Sequence, residues 1–313
     1  MRHYFPFIWV MVAACCLNAQ TNVWQPSSGH GQIPIWPGKV PDAQRMEGAE
    51  FAMTGDSKIA GKTWTAVKRV SCPTMTVYSP KGTNTGVAII VFPGGGYRVL
   101  AIDLEGTEVC KLLASKGMTA ILLKYRVPAS GPYWDDVGKR HRDPKAPMAL
   151  EDAQRTVGLT RLHASEWHIN PHKIGVLGFS AGGHLVADVC THFKRRAYAP
   201  VDDADNVSCR PDFGVAIYPG HMLEKTTRPF ELNPTIPVTS NTPPCFLLQA
   251  ENDPVDTVRN SLVYYAALKE AGVPVELHLY AEGGHAFGVR PTRFPITHWP
   301  DLLETWLQTI EMF

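Results

Sequence analysis

From about residue 64 the chain alternates short apolar runs with longer amphipathic stretches. Residues 74–78 (Thr-Met-Thr-Val-Tyr) suit a strand, and Ser79-Pro80-Lys81-Gly82 suits a turn. Residues 87–92 (Val-Ala-Ile-Ile-Val-Phe) form a continuous apolar run ending in Pro93-Gly94-Gly95-Gly96. Such a run fits a strand covered on both faces. A helical pattern over 104–115 follows, closed by Gly117, and 119–125 is the next apolar strand. The pattern then predicts helix 149–164, strand 173–177, helix 180–193, strands 213–218 and 245–250, helix 258–271, strand 275–280 and helix 302–313. Strands alternating with helices predict an α/β fold, with a mostly parallel central sheet and helices on both faces. Residues 61–313 read as one domain, since no linker divides them. Three polar stretches, 128–147, 194–211 and 221–243, interrupt the alternation. Each follows an element expected to border the functional site, and loops this long in compact domains are usually functional or disordered.

The first sixty residues differ. Residues 20–60 are rich in Pro, Gly and polar side chains and read as an extended arm that wraps the domain. Residues 1–19 carry one positive charge, Arg2, then an almost wholly apolar stretch from Tyr4 to Leu17, and Leu17-Asn18-Ala19 offers a cleavage point. That is the form of a signal peptide, so a secreted or periplasmic, bacterial location is expected. Val12-Ala13-Ala14-Cys15 has the form of a bacterial lipobox, and a lipid anchor at Cys15 is the alternative. No apolar stretch reaches the length of a membrane span. Of 313 residues, 30 are Lys or Arg and 29 Asp or Glu; removing Arg2 with the leader leaves 29 of each sign. This balance excludes the electrostatic footprint of a nucleic-acid binder. Seven cysteines become five without the leader: Cys72, Cys110, Cys190, Cys209 and Cys245. None has zinc-site spacing, so no metal is expected. Cys110, Cys190 and Cys245 fall in apolar patterns, whereas Cys72 and Cys209 sit in polar context where a bridge is open.

Gly178-Phe179-Ser180-Ala181-Gly182 is the strongest chemical signal. It matches G-x-S-x-G between a strand and a helix, the context that gives the motif meaning. The serine must occupy a sharp, strained turn to stand clear of the sheet, and flanking glycines let backbone crowd around it. The helix behind it adds N–H groups and a positive dipole end. Ser180 is therefore the candidate nucleophile.

Such a serine needs a base, and the base a carboxylate; the chain order is Ser, then Asp or Glu, then His. After residue 180 the histidines are His184, His192, His221, His278, His285 and His298. His285, in Glu282-Gly283-Gly284-His285-Ala286-Phe287-Gly288 after a strand, is the expected base. His184 and His192 fall on the helix behind Ser180 and His278 within a strand, where packing is the expected role; His221 and His298 are in loops. Strand 245–250 ends in Glu251-Asn252-Asp253-Pro254-Val255-Asp256. Asp253 is the favoured carboxylate. Asp256 reads as the cap of the following helix, and Glu251 is the weaker rival. Phe92-Pro93-Gly94-Gly95-Gly96-Tyr97 supplies an oxyanion loop, with donors expected from Gly95 or Gly96 and from Ala181. Tyr97, Tyr133, Trp134 and His221 are candidates for a substrate-binding rim. Asp103 and Glu105 follow the oxyanion loop and either close the pocket or bind substrate hydroxyls. Asp152 and Arg155 read as a structural ion pair between layers.

With these residues in hand, the chain resembles the α/β-hydrolase superfamily, and within it a bacterial, secreted acetylxylan esterase-like group found alongside xylanases. The segments that carry the likeness are Ile33-Pro34-Ile35-Trp36-Pro37-Gly38, Phe92 to Tyr97, Leu123-Lys124-Tyr125-Arg126-Val127, Glu151-Asp152-Ala153-Gln154-Arg155, Gly178 to His184, Arg210-Pro211-Asp212-Phe213 and Gly283 to Gly288. Asn252 departs from the Asp, and Ala286 from the Gly, that relatives commonly carry there. The resemblance implies an esterase that removes acetyl groups from plant polysaccharide through Ser180, His285 and Asp253, with no cofactor. The residues alone imply an acyl hydrolase. An esterase for feruloyl or other short-chain esters, a serine peptidase of the same fold and a non-catalytic binding protein are the rival readings; the oligomeric state is not legible.

Overall fold

The computed structural model describes residues 23–44, 46, 48–127, 134–135, 140–141, 147–223 and 230–313. The leader, Cys15 and Tyr133 lie outside the described residues, and of Trp134 only the backbone is described. The strands are β1 (Ile33–Pro34), β2 (Phe51–Thr54), β3 (Thr65–Lys68), β4 (Thr74–Tyr78), β5 (Ala88–Phe92), β6 (Leu100–Ala101), β7 (Thr119–Lys124), β8 (Trp134–Asp135), β9 (Arg140–His141), β10 (Ile174–Phe179), β11 (Phe213–Ile217), β12 (Cys245–Ala250) and β13 (Val275–Tyr280). The helices are α1 (Glu108–Ser115), α2 (Pro147–Leu162), α3 (Ala181–Thr191), α4 (Arg259–Glu270) and α5 (Trp299–Thr309). A single π-turn, Asp103–Thr107, leads into α1.

The main sheet runs β1-β4-β7-β5-β10-β11-β12-β13. From β7 to β13 every neighbouring pair is parallel; β1 and β4 join antiparallel at one margin. Every residue of β5, β7, β10, β11 and β12 is buried, the condition of strands covered on both faces. The helix α2 packs on α3, whereas α1 is tied to α5 through Lys116, whose Nζ lies 3.1 Å from Asp301 and 2.7 Å from Glu304. A second sheet, β2-β3-β6, lies against the π-turn: Thr65 donates from its N–H and its hydroxyl to Asp103 at 2.7 and 3.0 Å. Asp103 is thus a structural acceptor rather than a group offered to substrate.

The stretch 20–60 holds more structure than an extended arm. It supplies β1 and β2, strands of two and four residues, too short for any periodicity to betray. Ile35 and Trp36 are buried. The Trp36 indole donates to Asp152 Oδ1 at 2.9 Å and lies beside two guanidinium groups, Arg126 and Arg155, at 6.0 and 5.5 Å.

Asp152 and Arg155 do not pair with each other, contrary to expectation. Asp152 accepts from the Arg126 N–H at 2.9 Å and from Arg126 Nε at 2.9 Å, with Glu151 on the same guanidinium at 2.7 Å. Arg155 binds Asp202, Asp205 and the Ile35 carbonyl. These buried charges sit on successive turns of α2, where longer-range partners outcompete a neighbour one turn away. Burial pushes the Glu151 carboxyl up to about 7, against the pull of Arg126. The bridge left open between Cys72 and Cys209 is not formed: the Cys209 thiol donates instead to the Phe193 carbonyl at 3.4 Å.

Candidate active site

Ser180 stands between β10 and α3 with φ 52° and ψ −117°. A non-glycine residue holds such a backbone only where its surroundings force it. The forcing is visible in the flanking glycines. A Cβ on Gly178 would meet the Gly182 carbonyl oxygen at 2.1 Å, and one on Gly182 would meet the Phe92 oxygen at 2.1 Å. The Ser180 N–H donates to the Ile217 carbonyl at 3.0 Å, which pins the elbow to β11. Tyr97, Tyr218, His221 and Ala286 also have positive φ, so left-handed backbone gathers around this one place. Ala286, at φ 57°, holds a left-handed backbone of the kind that favours glycine.

His285 Nδ1 lies 2.7 Å from Asp253 Oδ2. Asp253 is only 6% exposed, and its carboxylate is fully occupied. Oδ1 accepts from the N–H groups of Val255 and Asp256 at 2.8 and 2.9 Å, and Oδ2 also accepts from Gln249 Nε2 at 3.0 Å. Asn252 Oδ1 accepts from the N–H groups of Gly283 and Gly284 at 3.0 and 2.9 Å, which ties the histidine loop to the end of β12. The His285 ring packs on Tyr218, with centroids 4.8 Å apart. Burial pulls the imidazole pKa down, but the Asp253 hydrogen bond and the charges of Asp253, Glu105 and Asp256 outweigh it, leaving the ring above its ordinary value.

Asp256 is not a helix cap. The N-cap position of α4 is Val258, with no side-chain hydrogen bond. Asp256 instead reaches the site: Ser180 Oγ donates to its Oδ2 at 3.0 Å, and that oxygen lies 3.9 Å from His285 Nε2. The N-cap falls two residues beyond Asp256, too late for its side chain to serve the helix.

The glycine loop lies across from the elbow. Gly95 and Gly96 have φ 132° and 62°, and Gly94 lies against Ser180: a Cβ there would come 3.0 Å from Ser180 Cβ. Glu105 holds the loop in place. Its Oε2 accepts from the Gly94 N–H and its Oε1 from the Tyr218 hydroxyl, both at 2.8 Å. Burial raises the Glu105 pKa, opposed by His285, Tyr218 and the Gly94 N–H.

A pocket of about 270 Å³ brings Ser180, His285, Asp256, Gly95 and Gly96 together with Trp64, Leu104, Glu105 and His221. Among the candidates for the rim, His221 lines this pocket. Tyr97 does not: it has no exposed surface, and its hydroxyl lies 2.8 Å from His184 Nδ1 beneath the glycine loop. Its left-handed backbone turns the ring inward, away from the pocket. His184 is buried there, and His192 and His278 bind the Asp188 carbonyl and Glu276 respectively, away from Ser180. The stretch 194–211, expected to border the site, lines a separate and more open groove of about 880 Å³, where Arg196, Tyr198 and Asp205 bind one another. Sequence reasoning missed Trp64, Leu104, Gln249 and the reach of Asp256. Trp64 and Leu104 arrive through the small sheet and the π-turn, which leave no periodic trace. Among the described residues no group of three or more His, Cys, Asp and Glu is gathered as a metal set. Chemically, the arrangement offers a hydroxyl on a strained turn, an imidazole held at Nδ1 by a buried carboxylate, and a loop of backbone amides.

The sequence profile of the prolyl oligopeptidase family matches residues 107–310. Among curated proteins, the endo-1,4-beta-xylanase B of Butyrivibrio fibrisolvens is 31% identical over 224 residues, 66% of this chain and 33% of that protein. The acetylxylan esterase of Xylanibacter ruminicola is 28% identical over 259 residues, 76% of this chain and 48% of that protein. The chain thus spans a third to about half the length of these curated relatives. Among solved structures, the acetyl ester-xyloside bifunctional hydrolase from Caldicellulosiruptor lactoaceticus superposes with a TM-score of 0.70 at 32% identity, over 90% of this chain and 97% of that one.

Proposed function

The chain belongs to the prolyl oligopeptidase family, in an acetylxylan esterase-like group of α/β-hydrolases, and from that premise we propose that it is a serine esterase removing acetyl groups from plant polysaccharide. The observation that carries this reading is the 2.7 Å bond from Asp253 to His285 Nδ1, with the ring and Ser180 lining one small pocket. The relatives' names, acetylxylan esterase and acetyl ester-xyloside hydrolase, supply the substrate class.

The mechanism follows from the roles available. The Ser180 hydroxyl turns from Asp256 to His285 Nε2, gives up its proton and attacks the ester carbonyl. The tetrahedral oxyanion is received by amides of Gly95 or Gly96 and of Ala181. His285 then protonates the departing alcohol, and water, activated by the same imidazole, releases acetate from Ser180. Asp253 holds the tautomer and stabilises the imidazolium. These steps call for no metal or organic cofactor. A pocket of about 270 Å³ suits a small acyl group, below the roughly 300–1,000 Å³ of drug-sized sites. Peptide cleavage, which the family name suggests, would need room for a chain on both sides of the bond. Export rests on residues 1–19, with lipidation at Cys15 as the alternative; both lie outside the described residues.

The test is acetate release from acetylated xylan by the mature protein, with Ser180→Ala beside it. Release by the wild type alone supports the nucleophile and the substrate class together. Cleavage of a small aryl acetate with no release from xylan would keep the serine chemistry and refute the polysaccharide assignment.

A further inference from the structure

Glu105 is a buried carboxyl group to which the steps above assign no task. It is 1% exposed, yet it lines the pocket with Ser180 and His285. Its Oε2 accepts from the Gly94 N–H and its Oε1 from the Tyr218 hydroxyl, both at 2.8 Å. The Tyr218 oxygen in turn accepts from the Gly288 N–H at 3.1 Å. Gly288 lies three residues past His285, and its carbonyl accepts from the Trp299 indole at 2.9 Å. The π-turn also presses on this loop directly: a Cβ on Gly288 would come 2.5 Å from the Leu104 carbonyl oxygen. One carboxyl group thus joins the oxyanion loop to the loop that carries the base.

The bonds fix the direction of each proton. An N–H only donates, so Gly94 uses a lone pair of Oε2 and Gly288 a lone pair of the Tyr218 oxygen. Tyr218 has one proton left to give, and gives it to Oε1. Burial and the Glu105 charge keep that phenol protonated, well above its ordinary pKa. Both oxygens of Glu105 act as acceptors, the arrangement of an ionised carboxylate. The Tyr218 ring, which ends in that bond, packs on the imidazole of His285 with centroids 4.8 Å apart. The titratable groups around His285 are Asp253 and Asp256 from the loop after β12, Tyr218 and His221 from the segment after β11, and Glu105 from the π-turn. Burial opposes a charge on the ring, while the Asp253 hydrogen bond and the charges of Asp253, Glu105 and Asp256 favour it. Seen from the other end, burial raises the Glu105 carboxyl and the charge of His285 leads the groups that oppose the rise. The imidazolium forms only as the ester carbonyl is attacked, so a charge that favours it acts on the transition state more than on the bound substrate.

We propose that Glu105 is a second positioning carboxylate for His285: held by the π-turn and joined to the base loop through Tyr218, it supports with its charge the imidazolium that Asp253 also supports. The proposal rests on the serine-esterase reading above and adds a residue to its machinery.

The experiment follows kcat and KM for an aryl acetate against pH in wild type, Ser180→Ala, Glu105→Gln, Glu105→Asp and Tyr218→Phe, with a thermal melt of each. Glu105→Gln keeps the side-chain size, with an oxygen for the Gly94 N–H and an amide group for the Tyr218 oxygen, and loses the charge. Its kcat should fall by about ten- to a hundredfold, the range of an interaction with a charged group, with KM little changed. The midpoint of kcat/KM should move down, because a charge that favours protonation of the ring is gone; a merely structural role would lower the rate and leave the midpoint in place. Glu105→Asp, shorter but charged, should keep a midpoint closer to that of wild type. A folded Glu105→Gln with the wild-type midpoint overturns the proposal. Should that variant not fold, Tyr218→Phe decides, since it removes the hydroxyl through which Glu105 reaches Gly288: a several-fold fall in kcat at unchanged KM supports the proposal, and a wild-type kcat overturns it. A wild type inactive on the aryl acetate, or a Ser180→Ala variant that keeps the activity, overturns the esterase reading itself.

Discussion

Gly94→Ala puts the proposed oxyanion loop to a quantitative test. Gly94 does not have a left-handed backbone, so the substitution adds volume and little else. The new Cβ would lie 2.7 Å from the Phe179 carbonyl oxygen, 3.0 Å from Ser180 Cβ and 2.6 Å from Glu105 Oε2. Ordinary contact starts near 3.4 Å, so the loop and the elbow must part by about 0.4–0.7 Å. Glu105 cannot yield freely, since both its oxygens hold buried donors. Oxyanion donors act within a narrow window of roughly 2.7–3.1 Å, and losing one raises the barrier by about 2.7–4 kcal/mol. We therefore expect kcat to fall by about 10²–10³, with KM changed less. Overpacking should lower stability by about 1–3 kcal/mol. The assay is steady-state hydrolysis of an aryl acetate, with a thermal melt to confirm folding. Gly82→Ala is the control, because a Cβ at that exposed glycine meets nothing within 4 Å. A folded Gly94→Ala enzyme with kcat within about threefold of wild type would refute the assignment of this loop, since the steric shift would then have reached no catalytic donor.

Further outcomes follow from other contacts. Because His285 sits above its ordinary pKa and acts as a base only when neutral, kcat/KM should rise with pH through a midpoint above the usual value of about 6.5. Asp253→Asn removes a charge that raises that pKa, so the midpoint should move down while kcat drops by about 10³–10⁴; an unmoved midpoint in the pH profile would assign the titration to another group. Asn252→Ala strips the acceptor from the N–H groups of Gly283 and Gly284 and should lower kcat several-fold, whereas Asn252→Asp, which keeps the oxygen, should restore it. Arg126→Met leaves Glu151 and Asp152 buried without their cation, and denaturant melts should register a loss of about 3–5 kcal/mol at neutral pH.

The sequence carried the parts of this molecule that repeat a simple rule. Buried parallel strands such as β5 and β10 are unbroken apolar runs, and the elbow at Ser180 has a fixed spacing of glycines, so both were legible. Residues 104–115 read as one helix, but its first turn is wound as a π-turn, which swings Leu104 and Glu105 into the pocket. No local pattern encodes that winding; it depends on Thr65 and Gly94, which bind Asp103 and Glu105 from elsewhere in the chain. The same reason hid Asp256. Its sequence context fits a cap, and only the late start of α4 turns it toward Ser180. Tyr97 misled in the opposite way: an aromatic next to a glycine loop suits a rim, yet its partner is His184, buried on the next layer.

The segment carrying Ile35 and Trp36 sets an order on the birth of the fold. Trp36 bonds a residue 116 positions later and Arg155 reaches back 120 positions to the Ile35 carbonyl. In a chain emerging from its N-terminus the Ile35 N–H finds the Pro73 carbonyl early, but the Trp36 indole has no Asp152 to grip until α2 exists. Closing loops of that span comes late in any folding scheme governed by chain entropy. The Trp36 side chain, early in sequence, is thus a late arrival in time, and it seals a fold already assembled around Arg126 and Asp152.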